Sequence, residues 1–181
     1  KGSTQFMYVL PFSPTTALVE LTRFGSEILC ETAAEKQLQD YIHKHFGEFK
    51  KQAIEIGCIP MSNAEIRNDT LKDVVLLGAR NYKVKPSTGY AFKNMYHHAS
   101  ELVNSISNLK TPKELNVEHA KAPTGRFAFY DSLLLHILKN KPQNGKIIFQ
   151  DLLKGVEINT VLRFLDEKTS FSEDLKIFAK L

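Results

Sequence analysis

The sequence predicts an α/β (α+β) fold in which a mixed sheet with helices is followed by a helical C-terminal subdomain. Two extended segments rich in aromatic and β-branched residues open the chain, at 5–12 and 16–24. A short apolar run then enters a turn and a long helical pattern, within 73–107. Beyond this point four helical segments follow one another. We therefore predict a sheet-and-helix region over residues 1–110 and a helical subdomain over 111–181.

Length and composition exclude several classes of protein. The 181 residues suffice for one ordinary domain, and 43% hydrophobic with 24% charged residues is typical of a folded globular chain. No apolar stretch approaches the roughly 18 residues of a membrane span, and the first residues lack a signal-peptide core. The net charge of +4 forms no dense basic stripe for nucleic acid, but it favours light contact with an anionic membrane surface. Cys30 and Cys58 form no CxxC pair, which indicates a reducing, cytoplasmic compartment.

The first three elements follow from local signals. Ser13-Pro14-Thr15 is a turn sequence that joins the two opening segments into a hairpin. Apolar residues then recur at helical spacing over 32–46, behind Thr32 as N-cap and Glu35 three residues later. We expect this helix to cross over the sheet.

Two further strands and a second helix complete the predicted sheet-and-helix region. Residues 52–59 alternate between two faces and end at a proline, which predicts a strand. Residues 73–77 are the form of a strand buried on both faces. A helix is predicted within 86–107, with Ser87 or Thr88 as its N-cap.

The predicted tail consists of helices separated by polar or proline-containing breaks such as Pro142-Gln143-Asn144-Gly145. The four helices span residues 124–139, 146–153, 158–165 and 172–179. On the first of them Asp131 falls at the edge of an apolar stripe, where a hydrogen bond at the rim of the core explains it best. Arg126 and Tyr130 lie on the same helix.

Two glutamates are candidates for acid chemistry. Glu20 lies in a strand whose two faces are both apolar, so we expect its carboxyl group to lose water. A carboxylic acid that stays protonated near neutral pH can protonate a poor base such as an alkene. Glu55 stands in a similar place between Ile54 and Ile56. For both residues the alternative is a strand glutamate paired with Arg or Lys, and one sequence does not show whether the two carboxyls meet.

The segment 78–90 is a candidate anion-binding turn, because backbone amides at a helix N-terminus favour phosphate or a negatively charged ring. An ordinary strand-to-helix turn has the same pattern, and the chain contains no GxGxxG fingerprint. No metal site is predicted, since His43 and His45 face different sides of a helix and His97 and His98 are adjacent.

Four ordered motifs resemble the lycopene cyclase family: its central signature, its glutamate with an Ile-Pro-Met segment, its flavin-side turn and the helical tail of its bacterial members. They stand at Phe6-Met7-Tyr8-Val9-Leu10-Pro11-Phe12-Ser13 with Ala17-Leu18-Val19-Glu20-Leu21-Thr22, at Glu55-Ile56-Gly57-Cys58-Ile59-Pro60-Met61, at Lys85-Pro86-Ser87-Thr88-Gly89-Tyr90, and at Arg126, Tyr130-Asp131 and Arg163-Phe164-Leu165-Asp166. The chain departs from the family pattern at Leu21, where a second acid is usual, and at Arg80 and Tyr82, where small residues are usual.

The resemblance implies a flavoprotein in which a nucleotide-binding layer supports a substrate region. This chain resembles the C-terminal half of that FAD/NAD(P)-binding fold, so the dinucleotide fingerprint is expected upstream of Lys1. The implied cofactor is reduced FAD, with NAD(P)H as a candidate reductant. The residues implied to face the flavin are Gly78, Pro86, Ser87, Thr88, Gly89 and Tyr90.

The resemblance also implies a reaction. An acid protonates the terminal double bond of linear lycopene, the cation closes a six-membered ring, and loss of a proton leaves a cyclic end group without net redox change. By position, Glu20 matches the glutamate that the family requires, and Glu55 is the second catalytic candidate. The residues implied to contact the polyene are Pro11, Phe12, Pro60 and Met61.

A substrate that dissolves only in lipid implies a cytoplasmic enzyme peripheral to the inner face of the membrane, with no nucleic-acid partner. Two alternatives stay open. One is a flavin-dependent isoprenoid reductase or hydroxylase of the same fold, which would consume NAD(P)H; the other is a non-enzymatic isoprenoid-binding module. End-group regiochemistry, the number of rings and the oligomeric state are left open by the sequence.

Overall fold

The computed structural model describes residues 3–66, 74–108 and 122–181. Within these residues the protein is a mixed α/β chain with one two-stranded sheet and six α-helices. The elements are β1 (Thr4–Ser13), β2 (Thr16–Phe24), α1 (Glu31–Phe46), a 3₁₀ turn (Gly78–Asn81), α2 (Phe92–Ser107), α3 (Gly125–Asn140), α4 (Gln143–Gly155), α5 (Ile158–Leu165) and α6 (Phe171–Phe178).

The chain divides into two compact units. Unit 1 consists of Lys1–Cys58 with His136–Asp151, and unit 2 consists of Ile59–Leu135 with Leu152–Leu181. Helix α3 therefore begins in unit 2 and ends in unit 1. The predicted boundary between residues 110 and 111 lies outside the described residues, so that division stays a prediction. None of the helices in the described parts of the chain is both long and apolar enough to cross a membrane.

The predicted hairpin is confirmed. Strands β1 and β2 pair antiparallel with Thr4 opposite Phe24 and Tyr8 opposite Glu20. The register shifts next to Pro11, because proline has no amide hydrogen to donate to the ladder. The turn follows at Pro14-Thr15.

Helix α1 confirms the predicted helix, but its predicted cap is wrong. Cys30 is the N-cap and makes no side-chain cap hydrogen bond, so Thr32 lies inside the first turn. Glu35 accepts a hydrogen bond from Lys51 Nζ at 2.8 Å instead of reaching back to the N-terminus. The helix packs against β2 and is tied to β1 by a hydrogen bond from Gln5 to Gln37.

Unit 1 has a small aromatic core at one end of the hairpin. Phe24 is buried, and its ring centroid lies 5.3 Å from Phe149 of α4 and 5.7 Å from Phe6. Gly145 allows α4 to approach this closely, because a Cβ there would lie 2.2 Å from the hydroxyl oxygen of Thr4. The same hydroxyl donates to the carbonyl oxygen of Pro142 at 2.7 Å. Helix α4 therefore covers the Thr4 end of the sheet.

The predicted strand at 52–59 is wrong. The structure leaves these residues without regular secondary structure, and all of them are exposed. Alternation alone does not make a strand, because a strand needs a neighbour to accept its ladder hydrogen bonds. Of the predicted strand at 73–77, Asp73 lies outside the described residues and 74–77 are not a strand either; they lead into the 3₁₀ turn.

All four predicted tail helices are confirmed to within a few residues. Two have well-formed N-caps: Glu157 accepts from the amides of Asn159 and Thr160 on α5, and Ser170 forms a capping box with Glu173 on α6. The predicted break at 142–145 is shorter than expected, since α4 already begins at Gln143. In unit 2 these helices enclose a core whose members include Phe127, Tyr130, Phe164, Phe178, Val161 and Ile177.

Candidate functional site

One face of the hairpin in unit 1 surrounds a carboxyl group with apolar side chains. The register places Glu20 directly opposite Tyr8, and alternation along each strand puts their neighbours two residues away on the same face. Those neighbours are Phe6, Leu10, Leu18 and Thr22. The rings and aliphatic side chains of this face are exposed at 38–48%. The hairpin thus presents a hydrocarbon surface with Glu20 at its centre, which we call the Glu20 face.

Glu20 itself is exposed, and the expectation that it loses water within the chain is wrong. Helix α4 packs on this face at its Phe6 and Phe24 end, through Phe149, and does not bury Glu20. The Thr22 hydroxyl donates a hydrogen bond to Glu20 Oε1 at 2.7 Å. The Thr22 hydroxyl therefore orients one oxygen of a carboxyl group that is exposed on this face.

The other residues predicted to act in catalysis or substrate binding lie on exposed chain. Pro11 and Phe12 stand at the far end of β1, and Phe12 is 68% exposed. Glu55 lies on the irregular segment that follows α1 in unit 1. In unit 2, Pro60 is exposed and Met61 is half-buried. Their roles stay predictions.

Residues 85–90 form a closed turn in unit 2. The amide of Lys85 donates to the carbonyl of Tyr90 at 2.8 Å, and the amide of Gly89 donates back to the carbonyl of Lys85 at 2.9 Å. Gly89 has φ +73°, and a Cβ there would lie 3.4 Å from the Ile59 side chain. The Ile-Pro-Met motif and this turn, predicted separately, therefore pack together at Ile59.

The predicted caps of the following helix are wrong. Helix α2 begins at Phe92 with Ala91 as N-cap, and no side chain caps it. Thr88 Oγ1 instead accepts a hydrogen bond from the amide of Tyr90, and Ser87 turns into the protein. The turn extends to Ala91, further than the sequence predicted. The Ser87 and Thr88 hydroxyls bond to Asp131 and to the Tyr90 amide instead of to the first turn of the helix.

Ser87, Lys85 and Asp131 form a buried polar cluster. The Ser87 hydroxyl donates to Asp131 Oδ1 at 2.5 Å, and Lys85 Nζ lies 3.0 Å from the same oxygen. All three residues are at most 4% exposed. Burial raises the pKa of the Asp131 carboxyl above its ordinary value, and the Ser87 hydrogen bond and the Lys85 charge oppose that shift.

Two carboxylates that directly follow α5 bind the first and the last residue of the turn at 85–90. Glu167 Oε1 accepts a hydrogen bond from Lys85 Nζ at 2.9 Å. Asp166, which is buried, accepts from the Tyr90 hydroxyl at 3.1 Å and pairs with Lys93 in the first turn of α2. Burial and the bond to Asp166 raise the pKa of Tyr90, and the bond to Asp166 raises that of Lys93.

A second buried carboxylate ties α3 to α6. Asp174 is fully buried and accepts hydrogen bonds from Arg126 Nε at 2.8 Å, Thr169 Oγ1 at 2.5 Å and the Tyr130 hydroxyl at 3.2 Å. Burial, followed by the charge of Asp174, raises the pKa of Tyr130. These hydrogen bonds fix how α3 and α6 pack together in unit 2.

Gly78 and Tyr82 are accounted for by packing, whereas Arg80 is exposed. A Cβ on Gly78 would lie 2.7 Å from Met95 Cε, so glycine lets the 3₁₀ turn pack against α2. Tyr82 ends that turn with φ +52°, and its hydroxyl oxygen accepts a hydrogen bond from the Ile66 amide at 2.7 Å. A direct contact of Gly78 with a cofactor stays a prediction.

A comparison with protein families identifies the kind of protein that carries the Glu20 face and the turn at residues 85–90. A family model described as Lycopene cyclase protein matches residues 1–181, the whole chain. The chain belongs to the lycopene cyclase family. It is therefore assigned to the enzymes of carotenoid biosynthesis, in a family that is generally flavin-associated. No match to a curated protein or to a solved structure was found.

As a member of the lycopene cyclase family, the chain can be tested for its fit to a flavin. The first turn of α2 contains no acidic residue and no side-chain cap, and its Lys93 is paired with the buried carboxylate of Asp166. Its amides therefore favour a group with negative charge, as a reduced flavin ring has. The Ser87 hydroxyl donates to Asp131 of α3, and Thr88 Oγ1 accepts from the Tyr90 amide within the turn. A flavin would therefore be bound here through backbone amides, and contact of residues 86–90 with a cofactor stays a prediction.

The structure thus groups the predicted site residues of this lycopene cyclase family member in two places. Glu20 stands on the hairpin in unit 1, whereas the turn and the Ile-Pro-Met motif meet in unit 2. Sequence reasoning missed Lys85, Asp166 and Glu167 as partners within the turn. The signal for them was weak: Asp131 at the edge of an apolar stripe indicated a hydrogen bond at the rim of the core, but neither its full burial nor the cation that pairs with it.

Proposed function

We propose that this chain is a lycopene cyclase that closes the linear ends of lycopene by acid-initiated, non-redox ring formation, with Glu20 as the acid. The observation that supports this is the register of the hairpin, which sets Glu20 opposite Tyr8 in the middle of the Glu20 face. A hydrocarbon laid on that face removes water from the carboxyl group and brings it against a double bond. The Glu20 carboxyl group is exposed in the free chain, and the bound substrate would exclude water from it.

The proton balance of the step is simple. Glu20 gives its proton to the terminal double bond, and the carbon left positive is attacked by the next double bond to close the ring. The carboxylate formed is stabilised by the hydrogen bond that the Thr22 hydroxyl donates at 2.7 Å. The Glu20 carboxylate, directly or through water, takes up a proton from the ring, which restores both to neutrality without any net transfer of electrons.

The passing cation needs negative charge or π-electron density nearby. Tyr8 and Phe6 present aromatic rings on the Glu20 face, and such rings attract cations by about 0.5 to 2 kcal/mol. Reduced FAD, the cofactor that the family resemblance implies, would supply negative charge when bound. In this chain, the amides of the first turn of α2 would hold it. Membrane contact at the cytoplasmic inner face belongs to the same proposal, because lycopene dissolves only in lipid.

The substitution Glu20→Gln tests the acid role. An amide matches the carboxyl group in shape and still accepts the Thr22 hydrogen bond, but it cannot deliver the proton. General acid catalysis is worth about 10²- to 10⁴-fold, so cyclised product should fall by that factor in lycopene-accumulating cells. Chromatography of the carotenoids measures it.

Glu55→Gln is the matched control, because Glu55 is also an exposed carboxylate but lies outside the hairpin. We expect it to form rings at a near-normal rate. If Glu20→Gln cyclises lycopene normally, Glu20 has no part in the mechanism, and an inactive Glu55→Gln would then transfer the acid role to Glu55.

A further inference from the structure

The hairpin of unit 1 is anchored at one end and exposed at the other. Helix α4 covers the end at Thr4, where Phe24 is buried against Phe149. At the opposite end, which contains the turn, every residue from 10 to 18 except Thr16 is exposed. We call residues 10–18 the hairpin tip.

The hairpin tip lies within an uncharged stretch of the sequence. No Asp, Glu, Lys, Arg or His occurs from Phe6 to Val19. The exposed side chains of the tip include Leu10, Phe12 and Leu18, which are 40%, 68% and 38% exposed. An exposed apolar patch of this kind marks a site of contact with a protein or a membrane.

The turn lowers the cost of leaving water in two ways. Pro11 and Pro14 have no amide hydrogen to satisfy. The amide of Thr15 donates to the hydroxyl oxygen of Ser13 at 3.2 Å, so this donor has a partner within the turn. A polar group that leaves water costs free energy unless it is hydrogen-bonded. The turn is therefore suited to an environment without water.

The arrangement favours a lipid surface over a protein as the partner. A protein strand added beside β1 would need an unbroken row of amides, and Pro11 interrupts that row at the tip. The pair Leu10 and Leu18 is exposed on one face of the tip. The pair Pro11 and Ala17 is exposed on the other. Packing against one face would leave the second in water, whereas hydrocarbon chains surround an inserted tip on all sides.

The position of Glu20 fits insertion of the tip alone. Glu20 is four residues from Thr16, where β2 begins, which is about 14 Å along a strand. Segments that bind at a membrane interface enter it by about 5 to 10 Å. An inserted tip therefore leaves Glu20, the first charged residue of β2, outside the hydrocarbon.

We propose that the hairpin tip inserts into the hydrocarbon boundary of a lipid bilayer, and that the polyene reaches Glu20 from the bilayer along this end of the Glu20 face. Leu10 and Leu18 stand opposite each other between the turn and Glu20, so they form the hydrocarbon path. The inference rests on the proposed function in taking the molecule that follows this path to be lycopene. Because the tip binds through apolar side chains, its binding needs no anionic lipid.

Phe12→Trp tests insertion directly, because the chain contains no tryptophan and the substitution keeps the tip apolar. With vesicles of neutral phosphatidylcholine, the fluorescence of this variant should shift to shorter wavelength. Lipids brominated in their acyl chains should quench it. Phe129→Trp is the matched control, since Phe129 is 64% exposed but lies on α3 in unit 2. Because insertion is confined to the tip, the control should show neither change.

Phe12→Asp measures how much the tip contributes to vesicle binding. Loss of a buried phenylalanine alone lowers partitioning by about tenfold to a hundredfold, and the new charge also has to lose water. Flotation with the same vesicles should therefore show binding weakened by about that factor or more. Phe129→Asp should bind like the unaltered chain. Circular dichroism should show both variants folded, since both side chains are exposed.

Salt separates apolar insertion from attraction by charge. At about 1 M salt, where charges are screened beyond about 3 Å, binding to neutral vesicles should persist. Binding that requires anionic phosphatidylglycerol and disappears in salt would overturn the inference, as would equal behaviour of the Phe12 and Phe129 variants. A shifted Phe12→Trp spectrum in a dimer without vesicles would overturn it in favour of a second copy of the chain.

The vesicle measurements need no turnover, so they are independent of the proposed reaction. A chain whose tip inserts but that forms no rings would refute the proposed function and leave the tip supported. A chain that forms rings while the Phe12→Trp fluorescence reports water would overturn the inference alone.

Discussion

Gly145 and Gly155, both in α4, illustrate how strongly a single position can depend on what faces it. Gly145 is buried, and its missing Cβ leaves room for Thr4 and Leu138, at 2.2 and 2.8 Å from where the Cβ would lie. Thr4 cannot move aside without losing its hydrogen bond to Pro142. At Gly155 a Cβ would meet only the Lys180 side chain, at the ordinary contact distance of 3.5 Å.

Gly145→Ala should therefore destabilise the chain by about 1 to 3 kcal/mol, the usual cost of overpacking. Chemical denaturation followed by circular dichroism measures the free energy of unfolding. Gly155→Ala is the control on the same helix and should leave stability unchanged or raise it by up to about 1 kcal/mol, because alanine favours helix. Equal stability of the two variants would show that α4 does not approach β1 as closely as described.

Among the helices, α6 shows how a short element is made stable at its N-terminus. The Ser170 hydroxyl oxygen accepts from the Glu173 amide at 3.3 Å, and Glu173 Oε2 accepts from the Ser170 amide at 2.8 Å. Eight residues are too few for a helix to persist without such caps or tertiary contacts. The same short helix delivers Asp174 to Arg126 and Thr169, so its cap also supports the packing of α3.

Ser170→Ala should lower the free energy of unfolding by about 1 kcal/mol at neutral pH, since one orphan amide loses its acceptor. Glu173 adds a pH dependence. The hydrogen bond from the Ser170 amide holds the pKa of Glu173 below its ordinary value of 4.5, so the folded state prefers the ionised form. The resulting stability is present above pH 4.5 and is lost as the pH falls through the lowered pKa of the folded state.

Glu173→Gln should consequently flatten the acid side of the stability curve, because glutamine accepts the same hydrogen bond without titrating. Urea titrations at a series of pH values below neutrality measure this slope. Glu101→Gln on the exposed side of α2 is the control and should retain the slope of the unaltered chain. An identical slope in Glu173→Gln would contradict the capping-box assignment.

Across the whole chain, what the sequence predicted correctly was local. The hairpin and the tail helices follow from turn residues and apolar periodicity within a few neighbouring positions, and the structure confirms them. The strands expected at 52–59 and 73–77 failed because pairing is a property of two segments, and alternation describes only one.

Only the local features of the candidate site could be predicted from the sequence. The residues of the turn at 85–90 were visible as a motif, but the partners that fix it lie far along the chain. Asp131 is 44 residues from Ser87, and Asp166 is 76 residues from Tyr90. A single sequence has no local signal for such contacts. The capping role expected for Ser87 and Thr88 was wrong, because the Ser87 hydroxyl bonds to Asp131 and the Thr88 hydroxyl bonds to the Tyr90 amide.

The mass of the carotenoid product distinguishes cyclase chemistry from the two alternatives, a flavin-dependent reductase or hydroxylase and a binding module. Ring closure by proton addition and proton loss is an isomerisation, so the product should have the same mass as lycopene and a shorter chromophore. A reductase of the same fold would add two hydrogens, and a hydroxylase would add one oxygen; both would consume NAD(P)H in proportion to product. A binding module would return lycopene unchanged. Mass spectrometry of the carotenoids, with NAD(P)H followed by absorbance, separates these cases. We expect an isobaric product and no stoichiometric loss of NAD(P)H; hydrogenated or oxygenated product would refute cyclase chemistry at the Glu20 face.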